Sequence, residues 1–191
     1  MAGAGPGADQ HLEAGSFLVA APEMRDPRFS RTVILIVHHS AEGSMGLIVN
    51  KRSNIPVTDA LPELETAEDN RHVLYFGGPV QPAKITYAYT GGRSGAADLE
   101  VLDNVYLGTS YSQLQDLIKS RGKNSLRVYF GYAGWGPGQL EFELSLSDWQ
   151  LTPASAENVF NDDTENLWRS LNRENSGVMT RYPGPGIQPY L

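Results

Sequence analysis

Residues 33–37, Val-Ile-Leu-Ile-Val, are aliphatic at every position, and no other stretch restricts the fold as much. A strand sends alternate side chains to opposite faces, so an unbroken apolar run needs cover on both sides and belongs in the middle of a sheet. Segments rich in β-branched and aromatic residues, bounded by Gly, Pro, Asn or Asp, lie at 16–21, 31–39 around this run, 46–50, 72–76, 84–90, 104–108, 126–132 and 140–146. The last, Leu-Glu-Phe-Glu-Leu-Ser-Leu, alternates apolar with polar and is expected to be a strand with one wet face. Helical signals are fewer. Ser110 and Gln113 have the spacing of a capping box ahead of a stripe of Leu114, Leu117 and Ile118, with Gly122 as the stop. Asp163 is expected to cap a helix that buries Leu167, Trp168 and Leu171, and Pro62 cuts short a turn of helix begun near Val57. Strands grouped with a few helices predict an α+β fold rather than a regularly alternating α/β one.

The 191 residues suffice for one ordinary domain, placed at 15–173 between a Gly-rich lead at 1–14 and an extended Pro/Gly-rich tail at 174–191. In that tail Met179, Tyr182, Ile187 and Tyr190 are the side chains able to dock on the domain or on a neighbouring subunit. The net charge of -7 works against nucleic acid unless a local basic patch overcomes it. There is no cysteine, hence no disulfide, thiolate nucleophile or thiolate metal site. The aliphatic run of residues 33–37 is far below the roughly 20 residues needed to span a bilayer. A soluble, cytoplasmic protein without cofactor or metal is the expectation.

The richest candidate for chemistry is 131–144, Gly-Tyr-Ala-Gly-Trp-Gly-Pro-Gly-Gln-Leu-Glu-Phe-Glu-Leu. Flanked by two expected strands, it reads as a glycine-rich hairpin. Gly131 precedes the turn, where a glycine signals a bulge, close backbone packing or the lip of a cleft. The glycine spacing does not match the dinucleotide fingerprint, which also needs a helix directly afterwards. Gly77 and Gly78 close another strand in a Gly-Gly-Pro-Val turn. His38, His39, Glu42 and Ser44 crowd together, but adjacent strand histidines point to opposite faces and Ser44 lacks a nucleophile-elbow frame, so a structural hairpin is favoured. Thr109 and Ser110 at a helix N-terminus read as capping. Lys119, Arg121, Lys123 and Arg127 form the one basic cluster that could reach phosphates, whereas Arg25, Arg28 and Arg31 alternate with acids and are expected to pair locally.

Several of these segments together, 15–39, 44–51, 75–81, 107–110 and 131–144, resemble in order and spacing the YqgE/AlgH family, also called UPF0301 or DUF179. Its motif positions here include Pro22, Asp26, Phe29, Asn50, Gly77, Gly78, Pro79, Gly131, Tyr132, Gly134, Trp135, Gln139 and Glu141. The resemblance implies a single α+β domain with a strongly bent, barrel-like, mainly antiparallel sheet and flanking helices. The family is usually labelled a transcriptional regulator, and it offers no catalytic residues to carry over. Two departures stand out: His38 where members often have Glu, and Ala88 and Tyr89 where they often have a histidine. The leading expectation is a small-ligand or protein-binding domain that regulates indirectly, with a cleft among Asn50, Gly77, Gly78, Gly131, Tyr132, Gly134, Trp135, Gln139 and Glu141. The alternatives are a small-molecule enzyme using Glu141 or His39 as acid or base, and a direct DNA binder acting through Lys119 to Arg127.

Overall fold

A computed structural model describes residues 11–64 and 72–176. In chain order its strands are β1 (Ser16–Ala20), β2 (Val33–Ser40), β3 (Gly43–Ile48), β4 (Arg52–Pro56), β5 (Val73–Phe76), β6 (Val80–Thr90), β7 (Leu99–Leu102), β8 (Val105–Gly108), β9 (Leu126–Trp135) and β10 (Trp149–Pro153). The helices are α1 (Val57–Ala60), α2 (Tyr111–Ser120), α3 (Gln139–Ser145), α4 (Ala156–Val159) and α5 (Thr164–Ser176). The strands form one strongly curled sheet, a half-barrel, in the order β10-β1-β2-β3-β9-β6-β8-β7. These neighbours are antiparallel, while β5 runs parallel to β9 and carries β4 beside it. The fold is the α+β one expected.

The run at 33–37 lies inside β2, hydrogen-bonded to β1 on one side and β3 on the other. Its odd positions, Val33, Leu35 and Val37, enter a cluster completed by Leu167 and Leu171 of α5; its even positions, Ile34 and Ile36, enter another completed by Leu140 and Leu144 of α3 and by Trp135 and Trp149. Both faces of the strand are therefore dry, and full burial of each such side chain contributes about 1.5–3 kcal/mol. A third cluster joins Leu114, Leu117 and Ile118 of α2 to Tyr87, Tyr89, Leu126 and Val128 at the far end of the sheet.

β9 is the strand common to both halves. Its first part lies between β5 and β6, and its last residues, Ala133 to Trp135, pair with β3. The chain turns at Gly131, φ 67°, where a Cβ would collide with the carbonyl oxygen of Gly78. Gly78, φ 153°, in turn lies so close to the Tyr132 backbone that no side chain fits. The surplus glycine is thus explained by close backbone packing between two turns.

The main correction to the sequence reading concerns 140–146, which is not a strand. Gly138 takes a left-handed conformation (φ 70°), Gln139 Oε1 accepts from the Gly136 N–H at 3.1 Å, and α3 begins at once. Alternation of Leu and Glu gave way because Leu140 and Leu144 are also four apart, the spacing that buries one helical face. No hairpin closes here, and the helix requirement used against a nucleotide motif loses its basis; the glycine spacing remains against it. The capping box also fails: Ser110 makes no side-chain cap bond, and Gln113 instead donates to Asp98 at 2.5 Å. Asp163 does cap α5, accepting from the Asn166 N–H at 3.3 Å. β4, β7 and β10 went unread. Leu12, placed in the lead, is 8% exposed and joins the core, and α5 runs to Ser176, beyond the expected start of the tail. Residues 1–10 of the lead and 177–191 of the tail, with Met179, Tyr182, Ile187 and Tyr190, lie outside the described residues.

Two outcomes follow from this packing. Gly131→Ala imposes a left-handed conformation and a backbone collision, so it should destabilise the protein by about 2 kcal/mol or more in urea unfolding. Gly122→Ala, where a Cβ meets nothing within 4 Å, should stay within about 0.5 kcal/mol. His72 offers a pH test. It is 6% exposed ahead of β5 with Nε2 2.9 Å from the Arg121 carbonyl oxygen, and burial lowers its pKa below the usual 6.5, partly opposed by backbone carbonyl contacts. The unfolded chain therefore takes up this proton first as pH falls, so stability present above about 6.5 is lost below it. Unfolding at pH 7.5 and 5.5 should show the loss in the wild type and a smaller one in His72→Gln.

Candidate functional site

The loop at 21–31 is held down by side-chain bonds. Asn50 accepts from the Val33 N–H at 2.7 Å and donates to the Arg31 carbonyl at 2.9 Å. Lys51 Nζ donates to the Arg28 carbonyl at 2.7 Å, and Thr32 Oγ1 to that of Phe29 at 2.7 Å. Arg28 and Asp26 form a fork on the surface, their closest atoms 2.6 Å apart, and this guanidinium holds the Asp26 carboxyl below its ordinary pKa. Thus fixed, the loop faces the end of β9, the start of β6 and α3 across a concave space of about 740 Å³. Phe29, Trp135 and Trp149 form its aromatic floor and wall: Phe29 stacks on Trp135 with centroids 6.5 Å apart and meets Trp149 edge-on at 5.7 Å. Trp135 and Trp149 cross nearly at right angles at 6.1 Å.

Beneath the rings lies Glu143 of α3. Its Oε2 accepts from Trp135 Nε1 at 2.9 Å and from Trp149 Nε1 at 2.8 Å, and Oε1 accepts from Gln139 Nε2 at 2.9 Å. One carboxylate thereby fixes both indoles and, among the described residues, is met only by neutral donors. Glu23, Arg25 and Asp148 complete the charged lining.

Of the residues expected to form a cleft, Gly134, Trp135 and Gln139 line this crevice, together with Pro79 and Val80 of the Gly-Gly-Pro-Val turn. Trp135 is 7% exposed, a floor rather than a free-standing wall. Asn50 supports the loop from below, and Gly77, Gly78 and Gly131 serve the backbone contact behind it, where the Gly77 N–H donates to the Phe130 carbonyl at 2.8 Å. Tyr132 lies outside the crevice, its ring 5.2 Å from Lys84 Nζ. Glu141 points elsewhere, to His39, whose Nε2 is 3.8 Å from Glu141 Oε1 and whose Nδ1 is 2.8 Å from Ser44 Oγ. The two acid-base candidates are therefore neighbours, in the β2–β3 hairpin and α3. Sequence reasoning missed Glu143 and Trp149. The signal was the four-residue spacing of Gln139 and Glu143, visible only when 139–145 is read as helix.

The basic cluster is divided: Lys119 and Lys123 are exposed and Arg121 half-buried, whereas Arg127 is in the interior. Arg127 is 1% exposed, donates to the carbonyls of Val49 at 3.0 Å and Asn161 at 2.5 Å, and lies over the Tyr75 ring at 4.5 Å. Arg121 closes the turn at 90–92 through carbonyl bonds, and Lys123 pairs with Asp162 at 2.8 Å. Burial removes Arg127 from any nucleic-acid surface. Among the described residues, no group of three or more His, Cys, Asp or Glu is placed to hold a metal ion, and no helix is long and apolar enough to cross a membrane.

Residues 17–179 match the family described as AlgH-like, DUF179. A UPF0301 protein of Chlamydia caviae is 36% identical over 166 residues, covering 87% of this chain and 88% of its own. Another, from Chlorobium limicola, is 34% identical over 168 residues with the same shares. The solution structure of the AlgH protein from Pseudomonas aeruginosa superposes with a TM-score of 0.70 at 31% identity, covering 94% of each chain. The crystal structure of a Corynebacterium diphtheriae protein gives 0.72 at 25% identity, covering 87% of this chain and 89% of that one.

Glu143→Ala tests the site's construction. It strands two indole donors, each buried unsatisfied donor costing about 1–3 kcal/mol, while the exposed Gln139 amide turns to water. Urea unfolding should show a loss of about 2 kcal/mol or more, with Glu143→Gln, which keeps one acceptor oxygen, losing less.

Proposed function

The chain belongs to the AlgH-like family, DUF179, and from that premise we propose that it is a ligand-binding regulatory domain that affects transcription indirectly, through a small molecule or protein held at the Phe29–Trp135–Trp149 crevice. The observation that carries this reading is convergence. Three segments distant in sequence, the loop at 21–31, the turn at 77–80 and the 134–139 turn, meet at one concave site of about 740 Å³. Binding residues characteristically occupy loops held by a rigid scaffold, and pockets of this size and aromatic content hold whole small ligands. The net charge of -7 and the internal engagement of Arg121, Lys123 and Arg127 argue for an indirect route over direct DNA contact.

A second reading, catalysis, draws on one observation: His39 stands between Ser44 Oγ and Glu141 Oε1. An imidazole held between a hydroxyl and a carboxylate can move a proton. Ser44, however, is 7% exposed, and neither it nor His39 or Glu141 lines the crevice.

Thermal unfolding against metabolites, nucleotides, divalent metals and short duplex DNA separates these readings. A ligand at 100 times its dissociation constant adds about 2.7 kcal/mol, or about 5–10 °C in Tm. The expected result is a shift with one compound class, accompanied by a change in tryptophan emission and weakened by Phe29→Ala. A ligand indifferent to Phe29→Ala would remove the crevice as its site, turnover abolished by His39→Gln would favour the enzyme, and a shift with DNA alone would restore direct contact.

A further inference from the structure

We infer that the crevice takes an organic cation, a guanidinium or alkylammonium group seated against the wall formed by Phe29, Trp135 and Trp149, beside the Glu143 carboxylate. This deepens the ligand-binding reading and rests on it. Three aromatic rings packed on one another form one wall of the space, and their faces carry the negative side of the ring quadrupole, which attracts cations: the chain's own Arg28 guanidinium already lies 5.7 Å from the Phe29 centroid. Most of the charge in the lining has the same sign. Asp26 is spent on Arg28, which leaves Glu23, Glu143 and Asp148 against Arg25 alone. Glu143 matters most, because it is half-buried and its partners, two indoles and a glutamine amide, are all neutral. With no cationic partner among the described residues, this carboxylate is stabilised by any cation that reaches it, and it repels phosphates and carboxylates.

The same geometry narrows the kind of cation. No three carboxylates or imidazoles among the described residues come close enough to hold a metal ion, and indole rings offer a metal no oxygen ligand. An organic cation uses both surfaces, apolar faces against the rings and N–H or N–CH groups towards the acids. About 740 Å³ holds a free amine entire, or an arginine or lysine side chain with its flanking peptide.

The test follows the tryptophan emission of the full-length protein during titration with matched pairs. Arginine amide is compared with citrulline amide, its neutral isostere, and choline with 3,3-dimethylbutanol; inorganic phosphate and citrate represent anions. An acetylated Gly-Arg-Gly amide distinguishes a side chain on a partner protein from a free amine. At least one cation should bind at least tenfold more tightly than its neutral partner, and more weakly as salt rises from 50 to 500 mM. Glu143→Gln should reduce that affinity at least tenfold. If this variant unfolds, the rim double variant Glu23→Gln/Asp148→Asn should reduce it severalfold while leaving both indoles bonded. Equal affinity within both pairs, or cation affinity indifferent to the carboxylate variants, would overturn the inference. Binding of a neutral or anionic compound that Phe29→Ala weakens, with no response to cations, would overturn the charge assignment and leave the crevice as a ligand site. Silence from every class would remove both.

Discussion

Contact between the backbones at Gly78 and Gly131 is the constraint from which the rest of the structure follows. A strand that pairs with β5 and β6 at one end and β3 at the other must change direction between them, and β9 does so at Gly131, φ 67°, directly against the Gly78 carbonyl. That bend joins two half-sheets into one curled surface and aims the end of β9 at the loop of residues 21–31. The aromatic crevice exists because Trp135 leaves the bend at that angle, with Phe29 stacked on it. Without side chains at either glycine, the two turns come close enough for the Gly77 N–H to bond the Phe130 carbonyl, and steric contact and that bond fix the curl together.

The second determinant is the single carboxylate of Glu143. Three polar hydrogens converge on it, and two belong to indoles whose rings otherwise only pack. An indole N–H buried without an acceptor is costly, so the carboxylate sets the orientation of both rings. Among the described residues, it also carries a charge bonded only to neutral donors. Structure and recognition coincide in this group, since the charge that orients the rings defines what they can receive.

How much of this was legible in the sequence depended on whether the signal was local. Val33 to Val37 announced a strand dry on both faces, and Leu167 and Leu171 announced a helical stripe, because in each case periodicity alone decides the answer. The segment at 139–145 defeated the same reasoning. Leu-Glu-Phe-Glu-Leu satisfies both a period of two and a four-residue spacing of leucines, and the choice was made by Gly138 entering the left-handed region, a property of the turn rather than of the pattern. Gly131 was singled out correctly as a position of close approach, yet its partner Gly78 sits 53 residues earlier and could be found only in three dimensions. Asn50 and Trp135 belonged visibly to special segments, but Asn50 proved to be a clamp on the loop and Trp135 a floor. Arg127 looked like a surface cation because of the basic residues nearby in sequence; alternation along β9 turns its side chain to the interior, over Tyr75 and onto the Val49 and Asn161 carbonyls.

The fate of Arg127 belongs to a wider division of labour between the charges. Arg127 bonds two carbonyls in the interior, Arg121 closes the turn after β6, Lys51 holds the loop through Arg28, and Lys123 ties the start of β9 to the approach to α5. In a chain with 15 basic and 22 acidic residues, these cations are committed to carbonyl oxygens and to one aspartate of the protein itself. A guanidinium suits that role, since its rigid fork of donors reaches several carbonyls while its flat face lies on Tyr75. Surplus acids then remain at the surface and around the crevice, where their field repels polyanions and concentrates positive charge. With these cations holding the frame, the crevice meets another molecule chiefly through aromatic faces and carboxylates, with Arg25 and Arg28 beside them in its lining.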